Sequence, residues 1–148
     1  MSAALTFDNF AFSYQAAAEA ELLTERFAAQ PNQDGRPLIG PLCTEIEEGS
    51  FTLITGATGC GKTTLLRCCK PELAPNGIHT GAIKIFGKDS STLSAEESAS
   101  TIGFVMQNPD NQMVCSEPWH ELAFGLENLA VSQDAMRRRV AEIAHFFG

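Results

Sequence analysis

The sequence predicts an α/β fold, and three observations carry that prediction. Short apolar runs with β-like alternation are interspersed with runs of helical periodicity along the whole chain. One of the apolar runs, Phe51-Thr52-Leu53-Ile54-Thr55, leads straight into a glycine-rich turn, and that turn opens a helical run from Thr64 to Cys69. The composition, 44% hydrophobic and 19% charged over 148 residues, is that of one ordinary globular domain. A chain of this length buries about two-thirds of its unfolded surface.

Taken in order, Leu5 to Tyr14 alternates well enough to predict a strand, ending on the only tyrosine of the protein. Ala16 to Gln30 is rich in Ala and Glu, with Leu22, Leu23 and Phe27 at helical spacing, and predicts a short amphipathic helix. Pro31 to Pro37 is a loop by composition. Leu42 to Glu47 reads as a second strand, Glu48-Gly49 as a turn, and Phe51 to Thr55 as a third strand. After the following helix, Pro71 and Pro75-Asn76-Gly77 break the chain, and Gly81 to Gly87 is an alternating strand with a glycine at each end. Leu93 to Ser100 predicts a short helix with a capping box, Ser94 as N-cap and Glu97 three residues on. Ile102 to Met106 reads as a buried strand delivering Gln107 to Gln112. The remainder is helical. Trp119, Leu122, Ala123, Leu126 and Leu129 share a face after Ser116-Glu117-Pro118, and Met136, Val140, Ile143, Ala144 and Phe147 share one after Ser132. Both stripes are expected to be core packing, and Arg137-Arg138-Arg139 a solvated face.

The turn Gly56-Ala57-Thr58-Gly59-Cys60-Gly61-Lys62-Thr63-Thr64 fits GxxxxGK[ST] at every position, between a strand-like and a helix-like run. That is the P-loop arrangement, and it points to a nucleoside triphosphate. The glycines bring backbone N–H groups close to phosphate oxygens, and the helix directs its positive end at the same anion. Lys62 is expected to reach the β- and γ-phosphates, and the Thr63 hydroxyl to ligate Mg²⁺. Cys60 sits in this loop beside Lys62, either as a redox-sensitive thiol or simply as a small residue where size is tolerated.

Net charge of −8 argues against a nucleic-acid partner held by bulk electrostatics. No apolar run approaches a membrane span, and no signal peptide is apparent, so a cytoplasmic chain is expected. The five cysteines form no CxxC pair and read as reduced residues, and the three histidines are too scattered to suggest a metal site.

The flanking residues narrow the P-loop class. Phe12-Ser13-Tyr14 resembles the adenine-stacking loop of ABC-type ATPases, although Tyr14 also fits a strand-end aromatic covering the core. The run Ile102-Gly103-Phe104-Val105-Met106-Gln107-Asn108-Pro109-Asp110-Asn111-Gln112 resembles their Q-loop. Its continuation, Glu121 to Leu129, is similar to the ATPases of energy-coupling factor transporters, which import vitamins and transition-metal ions. The resemblance covers the chain apart from 16–37, which is longer than the family's usual connection and reads as a surface excursion or a partner contact. It implies a P-loop NTPase core of ABC type, a mixed sheet with flanking helices. It also implies that Tyr14 stacks on adenine, that Thr58, Gly59, Cys60, Gly61, Lys62, Thr63 and Thr64 hold the phosphates of ATP and its Mg²⁺, with Thr63 on the metal, and that Gln107 touches the metal or the attacking water. Lys62 and Gln107 take the catalytic roles.

The implied partners are a second ATPase subunit and a transmembrane coupling subunit contacting the Q-loop region, which would hold the chain on the inner face of the membrane. The family's LSGGQ-like signature, its apolar run ending in Asp-Glu and its switch histidine have no counterpart here, and His145 reads as structural. The chain is therefore expected to be the N-terminal portion of one ATP-binding domain: 1–107 the nucleotide-binding core, 108–148 the Q-loop and the start of a helical subdomain. Such a truncation predicts an unpaired strand edge and exposed apolar surface. Two other readings stay open, a nucleotide-binding or dimerisation module without catalysis and half of an ABC-type DNA-repair ATPase. A small-molecule kinase lacks its arginine-rich lid.

Overall fold

The computed structural model describes residues 2–14 and 38–148; the expected helix at 16–30 and loop at 31–37 lie outside the described residues. Two compact units divide the chain, Met1–Ser98 and Ala99–Gly148. The α/β class holds, with helices alongside a four-stranded sheet.

In the first unit, β1 (Ala3–Tyr14), β2 (Ile39–Glu47), β3 (Gly77–Ile85) and β4 (Lys88–Asp89) form a sheet in the order β2-β1-β3-β4, with every pair antiparallel. Phe7, Phe10 and Phe12 of β1 are all buried, which strict alternation would forbid for Phe7 and Phe10. A bulge resolves the conflict. Between the pairs Asp8↔Ala82 and Ala11↔Thr80, two residues of β1 face one of β3, and Asn9 takes φ 49°. The residue opposite is Gly81, at φ +72°, where a Cβ would overlap the Asp8 and Asn9 carbonyl oxygens. The core is completed by Ile39, Ile83 and Ile85 and by Cys68 and Cys69 at the end of α1 (Lys62–Cys68) and just beyond it. Between Phe10, Phe12 and Ile83 on the sheet and Cys68, Pro71 and Pro75 lies a cavity of about 230 Å³.

The expected capping box forms. At the start of α2 (Ala95–Thr101), Ser94 N–H donates to the Glu97 carboxylate at 2.9 Å and Glu97 N–H donates to Ser94 Oγ at 3.2 Å. Ser98 is fully buried, donating to Glu72 at 2.8 Å and accepting from Lys70 at 3.4 Å. Lys88 donates to Glu97 at 2.6 Å, and this ammonium together with the Ser94 N–H lowers the Glu97 pKa from 4.5 to about 2. Because the folded pKa lies below the unfolded one, this stabilisation is complete above pH 4.5 and is lost as pH falls toward 2. Glu97→Gln keeps an acceptor for Ser94 but loses the charge. Melting temperatures taken across that window are expected to fall less steeply for the variant than for the natural chain, and equal slopes would show that the Lys88 pair contributes nothing.

Two expected strands do not form. Phe51–Thr55 and Ile102–Met106 pair with no other strand among the described residues. Both runs are apolar on both faces, the pattern of a strand flanked by partners, and without such partners the sheet ladder cannot include them. Their side chains are correspondingly open: Phe51 is 92% exposed, and Leu53 and Val105 are exposed too. The expected exposed apolar surface is therefore present.

In the second unit, α3 (Pro118–Asn128) begins with proline at its first position, as the sequence predicts, and packs against α4 (Gln133–Phe147). The expectation that both apolar stripes are core is only half met. Ala123 and Val140 are buried, and Leu126, Leu129 and Met136 are half-buried, whereas Trp119, Leu122, Ile143 and Phe147 are exposed. Two helices bury one seam, and these stripes are wider than that seam.

Candidate nucleotide site

The glycine-rich turn is built as its residue types require. Gly61 stands at φ 95° as N-cap of α1, a left-handed conformation that L side chains rarely adopt. A Cβ at this position would press on Ile39 at 3.1 Å, so the turn leans against the start of β2. The first helical bond runs from Leu65 N–H to Gly61 C=O at 2.8 Å, and no side chain caps the helix. The N–H groups of its first turn are thus left for an outside acceptor.

Lys62 folds back over the turn. Its ammonium donates to the carbonyls of Gly56 and Ala57, both at 2.8 Å, and lies 3.7 Å from the Cys60 sulfur. The cation is therefore held at the centre of the loop. Thr58, Gly59, Cys60 and Thr63 are exposed, and Thr64 is half-buried. The hydroxyls of Tyr14 and Thr64 lie 3.0 Å apart in a hydrogen bond, which brings the end of β1 to the first turn of α1. Tyr14 is 40% exposed and meets Phe12 edge-on, ring centroids 5.1 Å apart. Tyr14 and the P-loop residues are thus assembled in one place.

Gln107 belongs to the second unit, where it is exposed at the start of the turn leading to Gln112. Two residues to which the sequence alone gives no role of their own organise that turn and the stretch after it. Gln112 accepts from Met106 N–H at 3.0 Å and donates to Phe104 C=O at 2.9 Å. Glu121, in the first turn of α3, accepts from Cys115 N–H at 2.7 Å and Val114 N–H at 3.0 Å, which lowers its pKa. No periodicity marks either residue; only the loop's own path brings backbone within their reach. Among the described residues no group of His, Cys, Asp or Glu is placed to hold a metal ion, and no helix is long and apolar enough to cross a membrane.

The cysteines divide sharply. Cys43 and Cys60 are exposed, whereas Cys68 and Cys69 are buried. Burial, with Cys68 adding to it, pushes the Cys69 thiol up to about 12, so it stays protonated at neutral pH. A disulfide exchange reagent applied to the folded chain is expected to titrate Cys43 and Cys60 rapidly, and Cys68 and Cys69 only after denaturation. Rapid reaction of all five would contradict the packing of α1 against the sheet.

Several known proteins resemble this chain over most of its length. A putative ABC transporter ATP-binding protein of Bacillus thuringiensis subsp. konkukian is 41% identical over 70% of this chain and 19% of its own length. The energy-coupling factor transporter ATP-binding proteins EcfA1 of Mycoplasmopsis synoviae and Enterococcus faecalis are 38% and 36% identical, over 75% and 81% of this chain and 41% and 42% of their own lengths. The chain thus spans less than half the length of these relatives. The family model described as ABC transporter matches residues 40–148, and the chain belongs to that family.

Proposed function

We propose that this chain forms the ATP-binding part of an importer ATPase of the energy-coupling factor type. The observation that carries the reading is the junction of Tyr14 with Thr64 at 3.0 Å, which sets an aromatic platform beside a phosphate loop. A base stacked on Tyr14 would have its phosphates directed toward Lys62 and the uncapped N–H groups of α1. The residues fit ATP: an aromatic face, the uncapped N–H groups of α1 and the Lys62 cation held over the loop. Thr63, exposed on the first turn, would offer its hydroxyl to Mg²⁺, which would take its other ligands from phosphate and water. Bound Mg²⁺ supplies charge against the phosphate oxygens. The chain's own residues would position the nucleotide.

The likeness to the EcfA1 proteins supports the importer assignment, with uptake of a vitamin or metal ion as the task of the complete protein. In that complete protein ATP hydrolysis would follow, with Lys62 on the γ-phosphate side and Gln107 at the metal or attacking water. A second ATPase subunit and a transmembrane subunit contacting the region of Gln107 would hold the chain at the inner membrane face. Residues 1–107 would form the core and 108–148 the Q-loop and beginning of a helical subdomain. The test is the melting temperature of the chain with and without Mg·ATP. Saturating nucleotide is expected to raise it, and a chain whose melt ignores ATP at millimolar concentration would sink the reading.

A further inference from the structure

We propose that the cavity between the sheet and the end of α1 is a binding site for a small uncharged aromatic molecule carrying one hydrogen-bonding group, with the Ser90 hydroxyl as its polar anchor. No residue of 56–64 lines this cavity, so the site is separate from the glycine-rich turn and the proposal stands apart from the nucleotide reading.

The space follows from residue size. Phe10, Phe12 and Ile83 give it an apolar floor, each no more than 4% exposed, and Cys68 stands on the facing wall. Gly81 and Ala82, beside the bulge in β1, bring no long side chain into the gap. An apolar cavity of about 150 Å³ takes up benzene, so one of about 230 Å³ has room for two fused rings.

The polar end is set by the 3₁₀ turn Ser90–Thr92, which follows β4. Three hydroxyls stand there, and two are spent on the turn itself. Ser91 donates to the Asp89 carboxylate at 2.7 Å, and Thr92 donates to the Asp89 C=O at 2.8 Å. The third hydroxyl, that of Ser90, makes no hydrogen bond among the described residues, although Ser90 is 8% exposed and lines the cavity. Buried hydroxyls in folded proteins are paired as a rule, and a partner for this one can approach through the cavity. The floor makes an ionised ligand costly to bury. Asp89 adds to that against an anion, since the hydrogen bonds from Ser91 hold its carboxyl below the usual range and keep it charged at neutral pH.

Indole and indene share a shape, and only indole has an N–H. Each is titrated into the full chain while the methyl resonances of Ile83 are followed, with the exposed Ile143 of α4 as control. Both ligands are expected to shift Ile83 saturably and to leave Ile143 in place. Ser90→Ala breaks no side-chain hydrogen bond of the fold, so its melt should be no lower than that of the natural chain. It weakens indole by about 2- to 10-fold, the range of one hydrogen bond, and leaves indene unchanged. Cys68→Met puts a longer, flexible side chain against the cavity and weakens both ligands. The proposal is overturned if neither ligand shifts Ile83, if Ile143 moves as much, or if Cys68→Met binds both as well as the natural chain. It is equally overturned if Ser90→Ala binds indole undiminished, which would leave the hydroxyl to water alone. Should Cys68→Met fail to fold, Ser90→Ala and the comparison of Ile83 with Ile143 carry the same test.

Discussion

Lys62→Ala is expected to cut the rise in melting temperature that Mg·ATP gives the natural chain by half or more. At a nucleotide concentration a hundred times the dissociation constant, a ligand specific for the folded state adds about 2.7 kcal/mol. For a domain of this size that corresponds to about 5–10 °C. Hydrogen bonds from a charged donor contribute about 1.5–3 kcal/mol, so removing the ammonium weakens binding by about 10- to 150-fold. At the same nucleotide concentration the variant would then gain about half of the natural increment at the lower end of that range and about a tenth at the upper end. The variant also loses the two 2.8 Å bonds that close the loop on the Gly56 and Ala57 carbonyls, so its melt without nucleotide should fall slightly. These two readouts are separable. A variant that keeps the full nucleotide increment would remove Lys62 from the site. Since those carbonyls already satisfy the ammonium, an incoming anion has to displace them, and weakly charged anions should compete poorly with a triphosphate.

Phe12→Ala should destabilise the first unit by about 3–5 kcal/mol, a large share of the 5–15 kcal/mol that holds a domain folded. The upper part of the range is expected. Phe12 already lines the 230 Å³ cavity facing Cys68 and Pro71, so the space it vacates joins an existing void. Urea denaturation would measure the loss, and Phe146→Ala provides the contrast: Phe146 is 81% exposed, and its replacement should change stability by no more than about 0.5 kcal/mol. Equal effects would mean that the three phenylalanines of β1 are not the core. The same Phe12 variant should also weaken ATP binding, because Tyr14 loses the edge against which it rests.

What could be read from the sequence was local. The Ser94/Glu97 capping box, the proline opening α3, the strand ending at Tyr14 and the glycine-rich turn each depend on neighbours within a few positions, and each stands where its pattern indicates. Phe51–Thr55 and Ile102–Met106 have strand-like patterns just as clear, yet a strand needs a partner, and periodicity does not name one. The bulge at Asn9 was hidden for a related reason, since its necessity follows from which phenylalanines share the core. Within the site, residue identities were legible but their mutual contacts were not. Tyr14 and Thr64 were both assigned to the nucleotide, and only the fold shows that they touch.

Gln112 gives the second unit a property of a different kind. A carboxamide has the donor–acceptor pair of a peptide group, and this one spans Phe104 C=O and Met106 N–H as a facing strand would. It acts as a one-residue doorstop on that edge of the chain. In amide exchange, Met106 would stand out as a slow site between faster neighbours, even though it belongs to no sheet. Another strand arriving from this side would have to evict a single side chain before it could dock, which makes the edge closed by default and openable at the expense of two hydrogen bonds.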